Sequence, residues 1–436
     1  MKKNLIGWLA LAAILVVACN KNNDDPTIRP FVTTEFSMDT IDVGQSVDLK
    51  PTVEMKDGAS FQWKVDNEEV SKDTAYTYTA SSRGNHRVVF TASNAAGKDS
   101  GVYQIFSPGE YDLGFSLITE GWFGHGTGNV LFYSYLRDEL TDSVFIKENP
   151  GKALGEIGNT LQYGTVSFDK MYLVVKAGGP LVKVDPYTMK ELGRIDNLPG
   201  DFGTSFLGLD TERGLLGTND GVYVVNLSTM TIDGTKVPNI TGPVGNMLQY
   251  GDRVFALTRD SGIVVFRSTN YSTIKKLGQA DFGFAAAKDG LIYAAKDNKL
   301  WGMNPNNLAA DTITLPFTTT SPWGAWRSVP MTTSSKDNSV YIAPPDGWAG
   351  GTKIYRYLKG NASSVSEPFF TLPGGEYFYG AAIAYNAWKN EIVATATNSS
   401  YGGNVNYLYF INATSGAVNK KITFNGYHFP AMLLMY

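Results

Sequence analysis

The residues in this sequence best equipped for chemistry are rings set among glycines. Gly121-Trp122-Phe123-Gly124-His125-Gly126-Thr127-Gly128 places aromatic rings and an imidazole on a backbone that can bend sharply. Pro344-Pro345-Asp346-Gly347-Trp348-Ala349-Gly350-Gly351 carries a further Trp, and Asn398-Ser399-Ser400-Tyr401-Gly402-Gly403-Asn404 carries a Tyr. Trp323-Gly324-Ala325-Trp326-Arg327-Ser328 adds rings and a guanidinium, and Arg259-Asp260-Ser261-Gly262 a charged pair. A Trp in a glycine loop leaves apolar area in water unless it stacks on something. Several such loops therefore point to a flat or bulky ligand held by ring faces, with Arg and Asp fixing its polar groups. The alternative is that the loops pack on one another.

Catalytic patterns are weaker. No Gly-Lys-Ser/Thr follows Gly124-His125-Gly126-Thr127-Gly128, so it is not a phosphate loop. No Gly-x-Ser-x-Gly elbow stands out. His125 and His428 could both lie near one mouth, but no spacing demands a metal, and Glu120 and Asp260 do not pair as acid and base from sequence. With 3 His and 1 Cys, a zinc site of the Cys/His type would need carboxylates, and no disulfide can form within the chain. The expectation is a binder rather than an enzyme, with no cofactor. A net charge of −4 argues against the clustered basic face that nucleic acid requires.

The elements that must hold these loops are strands. Charged residues make up only 18% and aromatics 13%, and 46 Gly supply turns, so the composition favours an all-β protein. Residues 31–107 show short alternating strands about ten residues apart, as in a β-sandwich, with Trp63 in the alternating run Phe61-Gln62-Trp63-Lys64-Val65 as its expected core ring. The stretch Val88-Val89-Phe90-Thr91-Ala92-Ser93-Asn94-Ala95-Ala96-Gly97 resembles the PKD-type immunoglobulin-like domain, which implies a spacer. Ser107-Pro108-Gly109 is the expected boundary.

Residues 111–436 repeat a unit of four short strands, the pattern of a β-propeller blade. One unit is Gly203–Asp210, Gly214–Thr218, Gly221–Asn226 and a fourth strand near Thr231–Val237. Second strands recur at Met171–Val175, Arg253–Leu257, Leu291–Ala295, Ser339–Ala343 and Glu391–Thr395. Third strands recur at Leu181–Asp185, Ile263–Phe266, Lys299–Met303, Lys353–Tyr357 and Tyr407–Phe410, often with Asp, Asn or Ser after them for the turn. An apolar residue followed by Gly marks the head of each first strand: Tyr163, Phe202, Val244, Phe282, Trp323 and Tyr379, with Phe429-Pro430 a degenerate seventh. Their spacings of 39, 42, 38, 41, 56 and 50 predict a seven-bladed propeller, eight being the alternative. The first blade lacks an inner strand, and the C-terminal run Ala431–Tyr436 should supply it, closing the ring.

First strands line the channel of a propeller, so Tyr163, Phe202, Phe282, Trp323 and Tyr379 are expected to converge at one mouth with Phe429. At Phe202 and Phe282 packing between blades stands equally beside ligand contact; at Trp323 and Tyr379 ligand contact is favoured. The candidate ligand-binding set is Trp122, His125, Tyr163, Phe202, Arg259, Asp260, Phe282, Trp323, Trp326, Arg327, Trp348, Tyr379, Tyr401 and His428.

The N-terminus adds an address. Met1-Lys2-Lys3 precedes an apolar run, Leu5–Val17, of signal-peptide length and too short to span a bilayer well; it ends Val16-Val17-Ala18-Cys19. This resembles the bacterial lipobox, which implies a signal peptide over 1–18, a lipid on Cys19 and a tether over 19–30. The polar Asn20-Lys21-Asn22-Asn23-Asp24-Asp25 resembles the export signal of Bacteroidetes lipoproteins facing the cell exterior at the outer membrane. The stretch Leu117-Ile118-Thr119-Glu120-Gly121-Trp122-Phe123-Gly124, with Gly128-Asn129-Val130-Leu131-Phe132-Tyr133 and Gly155-Glu156-Ile157-Gly158-Asn159, resembles YncE-like propeller lipoproteins and is similar to the BtuG-type surface lipoproteins. That resemblance implies capture of cobalamin or another corrinoid on one propeller face and delivery to a BtuB-type TonB-dependent transporter. A glycan-binding lipoprotein and a protein-interaction or adhesion propeller are the alternatives. A propeller hydrolase or lyase would need a carboxylate or His cluster in the channel.

Overall fold

The computed structural model describes residues 28–319, 330–346 and 350–436. Cys19 with the apolar run before it, Trp323, Trp326, Arg327 and Trp348 lie outside the described residues. The chain divides into two compact units, one ending at Gly109 and the other beginning at Glu110.

The first unit is a β-sandwich. Its larger sheet has the order Met38–Thr40, Gly97–Ser107, Gly84–Asn94, Ser60–Val65, Glu68–Ser71, and the strand pairs Phe31–Thr33/Thr52–Glu54 and Ser46–Leu49/Tyr76–Thr79 complete the unit. Alternation along Gly84–Asn94 buries Val88, Phe90 and Ala92 on one face. Trp63 is wholly buried there, with Phe90 at 4.7 Å and Tyr103 at 6.0 Å between ring centroids. Its indole Nε1 donates to the Asp73 carbonyl at 2.9 Å, so the buried donor is satisfied.

The second unit is propeller-like. Its described residues form seven sheets. In chain order the inner strands of the second to seventh sheets are Leu161–Ser167, Gly203–Gly208, Val244–Tyr250, Phe282–Ala286, Met331–Thr333 and Tyr377–Asn386. The inner strand of the first sheet is the C-terminal Pro430–Met435, which pairs antiparallel with Gly114–Thr119, Phe115 opposite Met435 and Leu117 opposite Leu433. Each inner strand touches the next, and Pro430–Met435 touches both Tyr377–Asn386 and Leu161–Ser167, so the ring closes.

What holds the ring is apolar burial between neighbouring sheets. Ile118, Phe132 and Leu434 of the first sheet meet Leu161, Met171 and Leu173 of the second. Phe206, Leu216 and Val225 of the third pack on Tyr172 and Leu181 of the second. The seventh closes onto the first through Val393, Leu408 and Phe410 against Phe115, Leu131 and Tyr133. Strands buried on both faces explain runs such as Met171–Val175 and Asn129–Ser134, in which no outward polar alternation survives.

Two turns recur with a physical reason. After the third strand, Asp185, Asn226, Asn304 and Asn412 each accept backbone N–H groups two and three residues on, which makes Asp or Asn the residue suited to that position. At the end of the second strand, Thr119, Thr218, Thr258 and Thr397 are buried, and each donates its hydroxyl to a carbonyl of the following turn or strand. The fifth sheet departs from the expected pattern. Its expected second and third strands form one continuous strand, Ile292–Met303, with Asp297 left-handed at φ 52° in the middle.

Candidate ligand-binding site

The heads of the inner strands and the turns between second and third strands share one face of the ring. On that face the strand Gly114–Thr119 does not stop pairing where its sheet ends. Thr119 lies opposite Pro430, Glu120 N–H donates to the Phe429 carbonyl at 2.9 Å, and Gly121 N–H donates to the His428 carbonyl at 3.1 Å. Continuing this antiparallel register by one residue sets Trp122 against Tyr427. Their rings stack at 4.3 Å with 25° between planes. Gly121, at φ 73°, then turns the chain, and the Trp122 carbonyl accepts the N–H groups of His125 and Gly126. That turn folds His125 back onto the indole at 3.9 Å and 27°.

Alternation carries the row inward. Tyr427 and Phe429 point to the same side of their strand, 6.4 Å apart and 24° from parallel, and Phe429 meets Tyr379 edge-on at 5.7 Å. The result is a continuous series of rings, His125–Trp122–Tyr427–Phe429–Tyr379, running from solvent into the core. Trp122 is 40% exposed and Tyr427 46%, while Tyr379 is buried. Phe429 is left-handed at φ 52°, a strained conformation for an aromatic residue, held by the ladder on either side. Phe123 and Tyr401 flank the row, 68% and 64% exposed. Stacked pairs of this kind contribute about 0.5–1.5 kcal/mol each beyond their buried area, so the rings order a loop otherwise rich in glycine.

The other candidate residues are distributed differently. Tyr163 lies inside the ring. Its hydroxyl donates to Asn246 Oδ1 of the fourth sheet at 3.0 Å, with the Phe206 carbonyl of the third at 3.3 Å, so it links three neighbouring sheets. Burial pushes its phenol well above the ordinary tyrosine range, which keeps it a neutral donor. Phe282 is buried among Tyr293, Leu300 and Val340 between the fifth and sixth sheets, as a packing ring. Phe202 is half-buried beneath Lys176, whose ammonium sits 5.5 Å from the ring centroid. Arg259 and Asp260 pair with each other, Nε to Oδ1 at 2.8 Å, on the turn over the fourth sheet. His428 is half-buried, with Nε2 3.1 Å from the Asn425 carbonyl and its ring 5.4 Å from Phe424.

The structure therefore brings together Trp122, His125 and Tyr379, with the Tyr401 loop beside them, because Gly402 packs against Phe429 and Tyr379, whereas His428 joins only through its backbone carbonyl and turns its ring to Phe424. It adds Tyr427, which the sequence reading passed over, and leaves Phe202, Arg259 and Asp260 on other sheets. The signal for Tyr427 was present: three consecutive rings, Tyr427-His428-Phe429, directly precede the last strand. Among the described residues no group of three or more His, Cys, Asp or Glu side chains is arranged to hold a metal ion.

A family model described as Domain of unknown function (DUF5074) matches residues 113–436, and one described as PKD-like domain matches residues 32–94. No curated protein matches the chain. Among solved structures, the chain is similar to a quinonprotein alcohol dehydrogenase-like protein from Bacteroides thetaiotaomicron, with 18% identity, 93% of this chain and 99% of that one covered, and a TM-score of 0.62. BamB from Moraxella catarrhalis is more distant, with 13% identity, 73% and 89% coverage and a TM-score of 0.42. At 18% identity the likeness to the first of these concerns the fold alone.

Proposed function

The chain belongs to the DUF5074 family, and on that premise we propose that it is a surface lipoprotein whose propeller rim captures a bulky, flat-faced nutrient, a corrinoid, and passes it to an outer-membrane TonB-dependent transporter. The observation that carries this reading is the solvent-exposed stack His125–Trp122–Tyr427, extended inward by Phe429 and Tyr379. Rings already ordered against one another lose little freedom when a ligand is added, and they offer broad apolar faces. A corrin has apolar faces and peripheral amides, which suit ring contact together with backbone and side-chain hydrogen bonds. The basic start, the apolar run and Ala18-Cys19 support a lipid anchor on Cys19, and the PKD-like unit suits a spacer above the membrane.

Titration calorimetry of the lipid-free chain from Asn20 onward with cyanocobalamin tests the reading. Tight 1:1 binding that weakens in Trp122→Ala is the expected result. No heat at micromolar protein, together with an unchanged melting temperature in excess ligand, would sink the corrinoid. The same exposed rings favour a second reading, a glycan-binding rim, because indole and phenol faces also stack on sugar rings. Saturation by oligosaccharides in place of cyanocobalamin would establish it.

A further inference from the structure

The opposite face of the ring has a cavity of its own, over the first, second and seventh sheets. It measures about 270 Å³ and is lined by Asp112, Tyr135, Tyr187, Trp388, Met435 and Tyr436. We propose that it is a second binding site, for a single neutral pyranose ring.

Its walls are fixed before any ligand arrives. Tyr135 donates its hydroxyl to the buried Glu391 carboxylate at 2.6 Å and accepts from Asn386 Nδ2 at 2.5 Å, which ties the first sheet to the seventh. Asn386 Oδ1 accepts the backbone N–H of Trp388 at 3.0 Å, setting that indole edge-on to Tyr135 at 5.4 Å and 87°. Tyr436 donates to the Pro186 carbonyl at 3.2 Å and meets Tyr187 edge-on at 6.0 Å. Leu113, at the lip, is left-handed at φ 53°, a conformation costly for a leucine and typical of positions that the surrounding structure over-determines. Trp388 is nevertheless 63% exposed, a large apolar face left in water on a rigid support.

Charge selects the class of ligand. The Lys389 ammonium lies 4.2 Å from the Trp388 ring centroid and 5.8 Å from that of Tyr135, so an organic cation seeking these rings would meet a positive charge already in place. An anion would meet the Asp112 carboxylate. A neutral ligand with an apolar face and outward hydroxyls meets neither objection: its C–H face lies on the indole face that Lys389 leaves open and its hydroxyls turn to the polar wall. The volume lies just below the range of pockets for drug-sized ligands, which suits one ring rather than a chain.

The test uses the full chain in a zwitterionic, sugar-free detergent, with the methyl glycosides of glucose, galactose, mannose and N-acetylglucosamine as probes in saturation-transfer NMR. At least one should receive saturation at its ring protons with millimolar affinity. That affinity should weaken about tenfold in Trp388→Ala and hold in Trp122→Ala. Transfer to none of the four would overturn the proposal, as would transfer that survives Trp388→Ala. Transfer lost in Trp122→Ala and kept in Trp388→Ala would assign the sugar to the rim instead.

Discussion

Over the first and seventh sheets, the rim loops 120–128 and 398–404 carry rings into solvent. Over the third and fourth sheets the equivalent turns, 219–221 and 259–261, are short and carry charges. Both arcs spring from second strands that end in a buried Thr whose hydroxyl secures the turn. The difference lies in what completes the loop. Asp220 accepts from Thr218 and Tyr223 and pairs with Lys236 at 2.9 Å, and Asp260 pairs with Arg259, so the polar groups of the short turns already have partners. The long arc is completed by ring faces, and ring faces stay available to a visitor after they have stacked. A propeller can thus give several sheets the same support and concentrate exposed rings on one sector through loop length and glycine content.

The comparison can be broken most sharply at the rings. Replacing Trp122 and Tyr427 together by Ala should cost about 2–4 kcal/mol of ligand binding, roughly 30- to 1,000-fold in Kd, by calorimetry with whichever ligand the rim takes. Melting temperature should change little, because both rings are half in solvent. A drop in stability with binding intact would make the row a packing feature.

Tyr163→Phe probes the link between the second, third and fourth sheets. It leaves Asn246 and the Phe206 carbonyl without their shared donor, and should destabilise the second unit by about 1–3 kcal/mol in chemical denaturation while leaving rim affinity unchanged. Reduced affinity would place the ligand deeper than the rim.

Acid should act on the charged arc. Burial pushes the Asp220 carboxyl up, but Lys236, Thr218 and Tyr223 outweigh it, and the folded pKa lies below 3.8. A depressed carboxylate contributes stability above its unfolded pKa and loses it as pH falls through the folded value. Melting temperature should therefore decline as pH falls below about 4, less steeply in Asp220→Asn. Parallel profiles for the two proteins would remove Asp220 from the account. The smallest effect is expected for Arg259→Ala: an exposed pair contributes about 0–1 kcal/mol, so stability should shift by less than that, and rim affinity should hold within a few-fold. A large loss of affinity would bring this arc into the site.

Much of the architecture could be read from residue order. The four-strand unit, the apolar second strands and the C-terminal run that completes the first sheet all appear in local pattern, because a strand buried on both faces cannot hide its composition. The fused strand Ile292–Met303 escaped, since Lys296–Asn298 at its middle carries no glycine and Asp297 takes the left-handed conformation within the strand. The buried Thr that closes each turn recurs in four sheets, but its type alone does not separate it from an ordinary strand Thr.

The row of rings was only half legible, and the reason is physical. Glycine-rich loops with rings can be recognised as potential contact surfaces from residue type alone, and Trp122, His125 and Tyr401 stand out as candidates in that way. Which rings meet depends on pairing between segments some three hundred residues apart: Trp122 reaches Tyr427 only because Glu120 and Gly121 extend the ladder onto Phe429 and His428. The same marks at strand heads therefore had three fates. Phe282 became core, Tyr163 bridged three neighbouring sheets, and Tyr379 joined the row. Sequence by itself determined that this chain would be all-β, repetitive and closed end to end, since those properties follow from composition and short-range periodicity. Only the tertiary structure decided which face each ring presents, because that is set by register and by the neighbour across the sheet boundary, which local sequence does not encode.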